Sequence, residues 1–348
     1  MIFEAGGIEI LIVASSAMVY NKETSGYYDI ISDGYEIKYH VDCAMMGDNL
    51  SNMSKSAGLS LIEHSTIIEK EAPDAILIIG DRFDMLPACL AARNANVPVL
   101  HIQGGERSGS VDDTIRDIIS VCGERHYVAT ENCKDRVEKI TDSKNVFNFG
   151  CPAVEMVEEM EVGSFLDVDK FKKTYKHNFG IEPHEKYMVV LVHPNTDSQD
   201  DTDMAAILSA CISFALKVVV IMPNIDAYHC KIDNDINTFI KDIIHVRHMP
   251  VEDFVRLMAH SSCMVGNSSA SIREAASFGT PVINVGNRQN QREQNVGTVN
   301  CDSRFESVRN AIDGCLKKGS HAPCNIYSKK GCSRHIVDNI CEFLWNTG

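Results

Sequence analysis

A chain of 348 residues is longer than one hydrophobic core usually grows, so two domains are expected. Its formal net charge of −15, with no basic stripe to offset it, argues against a nucleic-acid partner, although helix N-termini and a few arginines can still build a local anion site. Composition is globular, at 44% hydrophobic and 23% charged residues, and no apolar run reaches the length needed to span a membrane.

The opening residues, MIFEAGGIEILIVASS, carry neither a basic n-region nor a small-residue cleavage site, so no signal peptide is expected. Thirteen cysteines are scattered along the chain, odd in number and without a C-x-x-C pair. They fit reduced cytosolic thiols used as small hydrophobes better than a disulfide framework or a zinc site, which places the chain in the cytoplasm with no metal.

Short runs rich in Val and Ile predict strands at 8–14, 75–80, 97–102, 126–130 and 145–150. A charged stretch poor in strand signal fills 151–185, and further strands are predicted at 187–192, 217–222, 243–248, 263–266 and 281–286. Segments such as 83–95 and 269–278 carry apolar residues at helical spacing between them. Uninterrupted apolar strands alternating with helices predict parallel sheets covered on both faces. The expected architecture is α/β, two doubly wound domains with a cleft between them: residues 1–160 form the first and 161–331 the second. The closing helix, roughly 332–346 with the chain running to 348, holds the only tryptophan, Trp345, and is expected to pack back on the first domain.

In such sheets ligands sit at the carboxyl ends of strands, so those ends carry the functional information. AILIIGDRFD places Asp81 at a strand tip with Arg82 and Asp84 close by; alone, Asp81 is best explained as a cap for the following helix. VPVLHIQGGERSGSVDDTIRDII puts His101 and Gln103 at or just past the next tip. Gly104-Gly105 then lets a ligand or the chain approach closely, and Asp112-Asp113 open a helix whose dipole they complement. YMVVLVHPN ends a strand in His193, an acid/base candidate by type, although twelve other histidines make a chance placement easy. The 263–293 segment is the most informative: Gly266-Asn267-Ser268-Ser269 lead straight into a helix, an arrangement suited to a pyrophosphate. Glu274 falls one or two turns later, where a carboxylate can accept both ribose hydroxyls, and Arg288 and Arg292 follow the next strand. The bland alternative is a Ser268 helix cap and a solvated Glu274.

Taken in order, GDRFD (80–84), LHIQGGERSG (100–109), DDTIR (112–116), GCP (150–152), HPNT (193–196), MPNIDA (222–227), GNSSASIREAASFGTPVINVG (266–286) and RQNQRE (288–293) resemble the hydrolysing UDP-N-acetylglucosamine 2-epimerases of sialic-acid synthesis. That family includes bacterial single-function enzymes and the epimerase half of the animal bifunctional epimerase/kinase; PNIDA and PCNIY (323–327) are closer to the animal type. The resemblance implies two Rossmann-like domains arranged as in GT-B glycosyltransferases, with UDP-N-acetylglucosamine in the cleft. It implies a homodimer or homotetramer, and elimination of UDP through 2-acetamidoglucal with no metal and no cofactor. Carried over by motif, the acid/base positions are Asp81, Gln103, Asp113 and His193. The substrate and UDP contacts are Arg82, Asn224, Ser268, Ser269, Glu274 and Arg288.

The chain departs from the family pattern in three places. The family has Glu where this chain has Gln103, and an amide can hydrogen-bond a sugar but cannot act as a general base. The first domain is expected to lack the strand with which family members begin, Met1 falling in the helix after it. The arginines that follow PNIDA in animal-type enzymes are replaced by YHCKIDNDINTF, so feedback inhibition by CMP-sialic acid is not carried over. Two other classes remain open on these residues: a non-catalytic UDP-sugar-binding pseudoenzyme, and, less favoured by the 100–116 block, another GT-B glycosyltransferase.

Overall fold

Val, Ile and Leu crowd the strands because both faces of a parallel sheet are covered, and the computed structural model has that layering in its four- and six-stranded sheets. It describes residues 7–20, 22, 26–45, 47–160, 179–182, 185–195, 202–223, 227–247 and 249–347. Asn224 lies outside these residues, as do residues 1–6, on which the expectation of an absent first strand bears.

The chain divides into two units: residues 1–107, 111–155 and 327–348 form the first, and 108–110 with 156–326 the second. In the first unit, β1 (Ile12–Ser15) pairs in parallel with β2 (Ile37–Val41), separated by the short helices α1 (Ala17–Tyr20) and α2 (Tyr27–Ser32). The long helix α3 (Leu50–Glu71) then leads to a four-stranded sheet of order β3-β4-β5-β6. Its strands are Ile76–Ile79, Val99–Ile102, Arg125–Val128 and Val146–Asn148, all parallel. The helices α4 (Leu86–Asn94), α5 (Asp112–Cys122) and α6 (Glu131–Thr141) connect them, and α7 (Pro152–Glu159) follows.

Strand β4 explains why the first unit needs the closing segment of the chain as well as the segments before it. Val99 packs with Ile119 of α5 on one face, while Leu100 and Ile102 face the closing helix α13 (Cys332–Thr347) through Ile336, Ile340 and Phe343. Each such buried aliphatic side chain contributes about 1.5–3 kcal/mol. The N-terminus of α13 is held by Glu155, whose carboxylate accepts the Ser333 N–H at 2.7 Å. Trp345 stays on the outer face, 67% exposed, so the tryptophan is not what docks this helix.

The second unit is a six-stranded parallel sheet of order β12-β11-β10-β7-β8-β9. The strands are β7 Tyr187–Leu191, β8 Lys217–Ile221, β9 Ile244–Val246, β10 Met264–Gly266, β11 Val282–Val285 and β12 Thr298–Cys301. Between them run α8 (Met204–Ile212), α9 (His229–Thr238), α10 (Val251–His260) and α11 (Ser269–Glu274), with α12 (Phe305–Lys318) closing the unit. Counted along this unit the strand order is 3-2-1-4-5-6 read from β9, the dinucleotide-fold arrangement, and the chain reverses direction between β7 and β10.

Two strands escape the apolar pattern. β2 alternates Ile37, Tyr39 and Val41 with Lys38 and His40, and β12 is four residues with Asn300 among them. All thirteen cysteines are free, and nine are buried among aliphatic side chains, where a thiol packs as a small hydrophobe. Among the described residues no helix is long and apolar enough to cross a membrane.

Candidate functional site

The candidate side chains fall into two groups, one at the strand ends of each unit. In the first unit β3 stops at Ile79, and Gly80 (φ +79°) turns the chain while donating its N–H to the Ile102 carbonyl at 2.9 Å. Asp81 follows, 26% exposed, and its carboxylate pairs with the guanidinium of Arg116. Arg116, 2% exposed on α5, also donates to Asp113 Oδ1 at 2.8 Å and to the Glu106 backbone carbonyl. The second oxygen of Asp113 meets Arg107 Nε at 3.5 Å. One buried cation thus gathers two of the expected acid/base carboxylates.

This corrects the reading of Asp81 as a cap. The following helix α4 starts at Leu86 behind Met85, without a side-chain cap bond, and Asp81 turns to a partner 35 positions along the chain. Asp112 and Asp113 do open α5, but Asp113 is committed to arginines beyond any helix dipole. Arg82 pairs with Asp84, Nε to Oδ1 at 3.1 Å.

Gln103 sits one residue past β4 with φ +66°, a left-handed backbone that a non-glycine residue adopts only when its surroundings impose it. Its N–H is held by the Tyr127 carbonyl at 2.8 Å and its side-chain amide donates to Cys151 Sγ at 3.2 Å. The glycines after it serve chain packing. A Cβ on Gly104 would lie 2.9 Å from Ser120 Oγ, and one on Gly105 (φ +79°) only 2.3 Å from the Cys133 carbonyl oxygen.

Behind this turn His101 is fully enclosed. Its Nε2 meets the Gly80 carbonyl at 2.9 Å and its Nδ1 meets Ser120 Oγ at 3.1 Å, which assigns the neutral Nε2–H tautomer from the hydrogen-bond network. Burial pushes this imidazole down to about 4. His126 lies beside it in the β4–β5 register, also pushed to about 4 by burial and by the His101 charge, and neither of its ring nitrogens has a partner.

In the second unit the site forms at the reversal point between β7 and β10. Gly266 (φ +146°) ends β10 where a Cβ would stand 1.9 Å from the Leu191 carbonyl oxygen, so only glycine fits. Asn267 follows, 1% exposed; its Oδ1 accepts the His193 N–H at 2.7 Å and its Nδ2 donates to the His193 carbonyl at 2.9 Å. Arg288 Nη1 donates to the Asn267 carbonyl at 3.0 Å, and Asn195 Nδ2 to Asn287 Oδ1 at 2.8 Å. Ser268 is buried at the N-cap of α11 and makes no side-chain cap bond, contrary to the bland alternative. Ser269 starts the helix and Glu274 ends it. Glu274 is partly buried rather than solvated, and desolvation, countered in part by Arg273, raises its carboxyl to about 7.

Of the residues expected from sequence, Asp81 and Asp113 are brought together through Arg116, and His193, Ser268 and Arg288 meet around Asn267. Gln103 bonds to Cys151 instead of to the carboxylate pair. Sequence reasoning did not single out Arg116, and it placed Asn267 only within the Gly266–Ser269 stretch suited to a pyrophosphate, not against His193. Arg116 stood three residues after Asp113, a helix-face pairing that signals it; Asn267 carries no such local signal.

A family model described as UDP-N-acetylglucosamine 2-epimerase matches residues 5–341. The UDP-N,N'-diacetylbacillosamine 2-epimerase (hydrolyzing) of Legionella pneumophila is 30% identical over 304 residues, covering 86% of this chain and 79% of its own. A UDP-N-acetylglucosamine 2-epimerase of Neisseria meningitidis serogroup B is 26% identical over 324 residues, covering 92% and 83%. Among solved structures, the Methanocaldococcus jannaschii UDP-GlcNAc 2-epimerase in complex with UDP-GlcNAc and UDP superposes with a TM-score of 0.82 at 15% identity, covering 98% and 94%, a likeness of fold.

Proposed function

The chain belongs to the UDP-N-acetylglucosamine 2-epimerase family, and we propose that it is a hydrolysing member, converting UDP-N-acetylglucosamine and water to N-acetylmannosamine and UDP. A base takes the C2 proton, the C1–O bond breaks, and its electron pair leaves with the diphosphate. Water then adds to the resulting 2-acetamidoglucal, hydroxyl to C1 and proton to C2 on the face that inverts it. The scheme uses acid–base groups and electrostatic help for the departing oxygen. Asp81 and Asp113 are the carboxylates for it and His193 the second acid–base group. Ser268 and Ser269 hold the diphosphate, Glu274 the ribose hydroxyls, and Arg82, Arg288 and Asn224 complete the substrate contacts. We place the enzyme in the cytoplasm as a homodimer or homotetramer.

The observation that carries this reading is the Asp81–Arg116–Asp113 cluster: two carboxylates fixed by one buried guanidinium, one of them 26% exposed at a strand end. Gln103 limits it, because its amide can orient a sugar hydroxyl but takes no proton. The deciding experiment incubates purified protein with UDP-N-acetylglucosamine and measures UDP and N-acetylmannosamine. Slow release is expected from the wild type, with Gln103→Glu raising turnover by about 10²-fold or more. Cys151 can donate its S–H to the new carboxylate, so the turn should keep its place. UDP binding without release from either protein would support the pseudoenzyme reading instead. UDP-N,N'-diacetylbacillosamine belongs in the same assay, since the 30% identical relative is named for it; faster release from that sugar would move the substrate assignment and leave the reaction class intact.

A further inference from the structure

His193 can transfer a proton only if its backbone holds the ring in place, and at this point the sheet no longer does so. The β7–β10 ladder ends with Leu191 opposite Gly266, and its last main-chain bond runs from the Asn267 N–H to the Leu191 carbonyl at 3.2 Å. Pro194 has no N–H to offer. The His193 N–H and carbonyl lie in a residue only 9% exposed, where unpaired backbone groups are strongly disfavoured. The Asn267 carboxamide takes both, at 2.7 and 2.9 Å, acting as a one-residue substitute for the missing strand partner.

We propose that Asn267 is a positioning residue that fixes His193 and ties its orientation to the state of the nucleotide-holding loop. The inference rests on the epimerase reading above, which makes His193 an acid–base group and Ser268, Ser269 and Arg288 nucleotide contacts. Asn267 stands between these groups with each of its polar groups engaged. Its N–H goes to Leu191, its carbonyl to Arg288 at 3.0 Å, and both ends of its amide to His193. Ser268 and Ser269 are the next residues in the chain, and Gly266 before it tolerates no Cβ. A shift of Arg288 or of the serine loop toward a diphosphate therefore pulls on the group that holds His193. No other side chain does this at the same length: aspartate has the acceptor but no donor, and alanine has neither.

The test compares the wild type with Asn267→Ala and Asn267→Asp by steady-state UDP release, UDP calorimetry and NMR of the His193 ring with and without UDP, the resonance being assigned with His193→Gln. For Asn267→Ala, kcat is expected to fall about 10–100-fold, the scale of a misplaced catalytic group, with the UDP Kd changed less than about 3-fold. The His193 resonance should respond to UDP in the wild type and lose that response in Asn267→Ala. Asn267→Asp keeps the acceptor for the His193 N–H and should recover part of kcat; it carries the comparison if the alanine variant does not fold. Turnover unchanged in both variants, UDP affinity lost in step with kcat, or a His193 response to UDP that survives the substitution would each overturn the proposal. If the wild type binds UDP without turnover, the epimerase reading falls and the NMR response alone decides; if it does not bind UDP, both fall together.

Discussion

The two groups of strand-end residues are held by different forces. In the first unit the holding is by charge: Arg116 against Asp81 and Asp113, Arg107 on Asp113, and Arg82 on Asp84. In the second it is by neutral amides, with Asn267 on His193, Asn195 on Asn287, Asn284 on Asn300, and Gln289 receiving Arg292. Buried ion clusters and amide networks respond differently when a member is lost. Removing one ion strands the charge of its partners, whereas removing one amide costs a hydrogen bond and a desolvated group. The first unit should therefore fail abruptly and depend on pH through its buried rings, and the second should fail by degrees.

The largest effect that would test this contrast is at Arg116. Arg116→Met leaves Asp81 without its cation and Asp113, nearly enclosed, with only the longer Arg107 contact, and should destabilise the first unit by about 3–5 kcal/mol. Arg116→Lys keeps the charge but not the planar fork, and should recover only part of that loss. In the second unit Asn195→Ala should cost only about 1 kcal/mol. Hydrogen exchange followed peptide by peptide during urea unfolding reads the two units separately. Equal costs for Arg116→Met and Asn195→Ala would break the distinction between charge and amide holding.

The same contrast explains what was legible in the sequence. Strands buried on both faces announced themselves as unbroken apolar runs, and the 263–293 loop as a glycine, an asparagine and two serines before a helix. β2 was missed because one face is wet: Lys38 and His40 interrupt its apolar residues. β12 was missed because it is short and carries Asn300. Asp81 was misread because sequence reasoning weighs near neighbours, while its arginine stands 35 positions away. Asn267 and His193 are 74 positions apart, so their pairing exists only once β7 and β10 lie side by side. The Gln103 amide was plain in the sequence, but its positive φ follows from Tyr127 and the packed glycines behind it.

A smaller effect concerns acid. His101 and His126 have folded values near 4, below the ordinary 6.5, so below pH 6.5 the unfolded chain binds protons that the folded one refuses. Stability of the first unit is therefore complete above pH 6.5 and falls as pH drops toward 4, by up to about 3 kcal/mol for each ring. His126→Phe removes two unpaired ring nitrogens along with one of these titrations. It should raise stability at pH 7 and flatten the decline between pH 6.5 and 4, measured as urea midpoints across that range. An unchanged pH slope in the variant would mean that His126 is solvated by buried water and does not resist protonation.

Glu274 should give the smallest effect, and one of opposite sign in the second unit. Its folded value near 7 exceeds the ordinary 4.5, so the folded state holds a proton that the unfolded one has released. Its contribution favours folding below pH 4.5 and is lost as pH rises through 7, so acid relieves the second unit while it strains the first. With Glu274 as the proposed ribose contact, ligand binding reverses the preference, because a carboxylate that accepts both ribose hydroxyls must give up its proton first. UDP affinity should then strengthen by about tenfold between pH 6 and 8, with proton release seen as a buffer-dependent heat in calorimetry. Glu274→Gln keeps the shape and the partly buried position but has nothing to titrate, so its affinity should vary only with the phosphate's own ionisation, which both proteins share. Identical pH profiles for the two would remove Glu274 from the ribose contact.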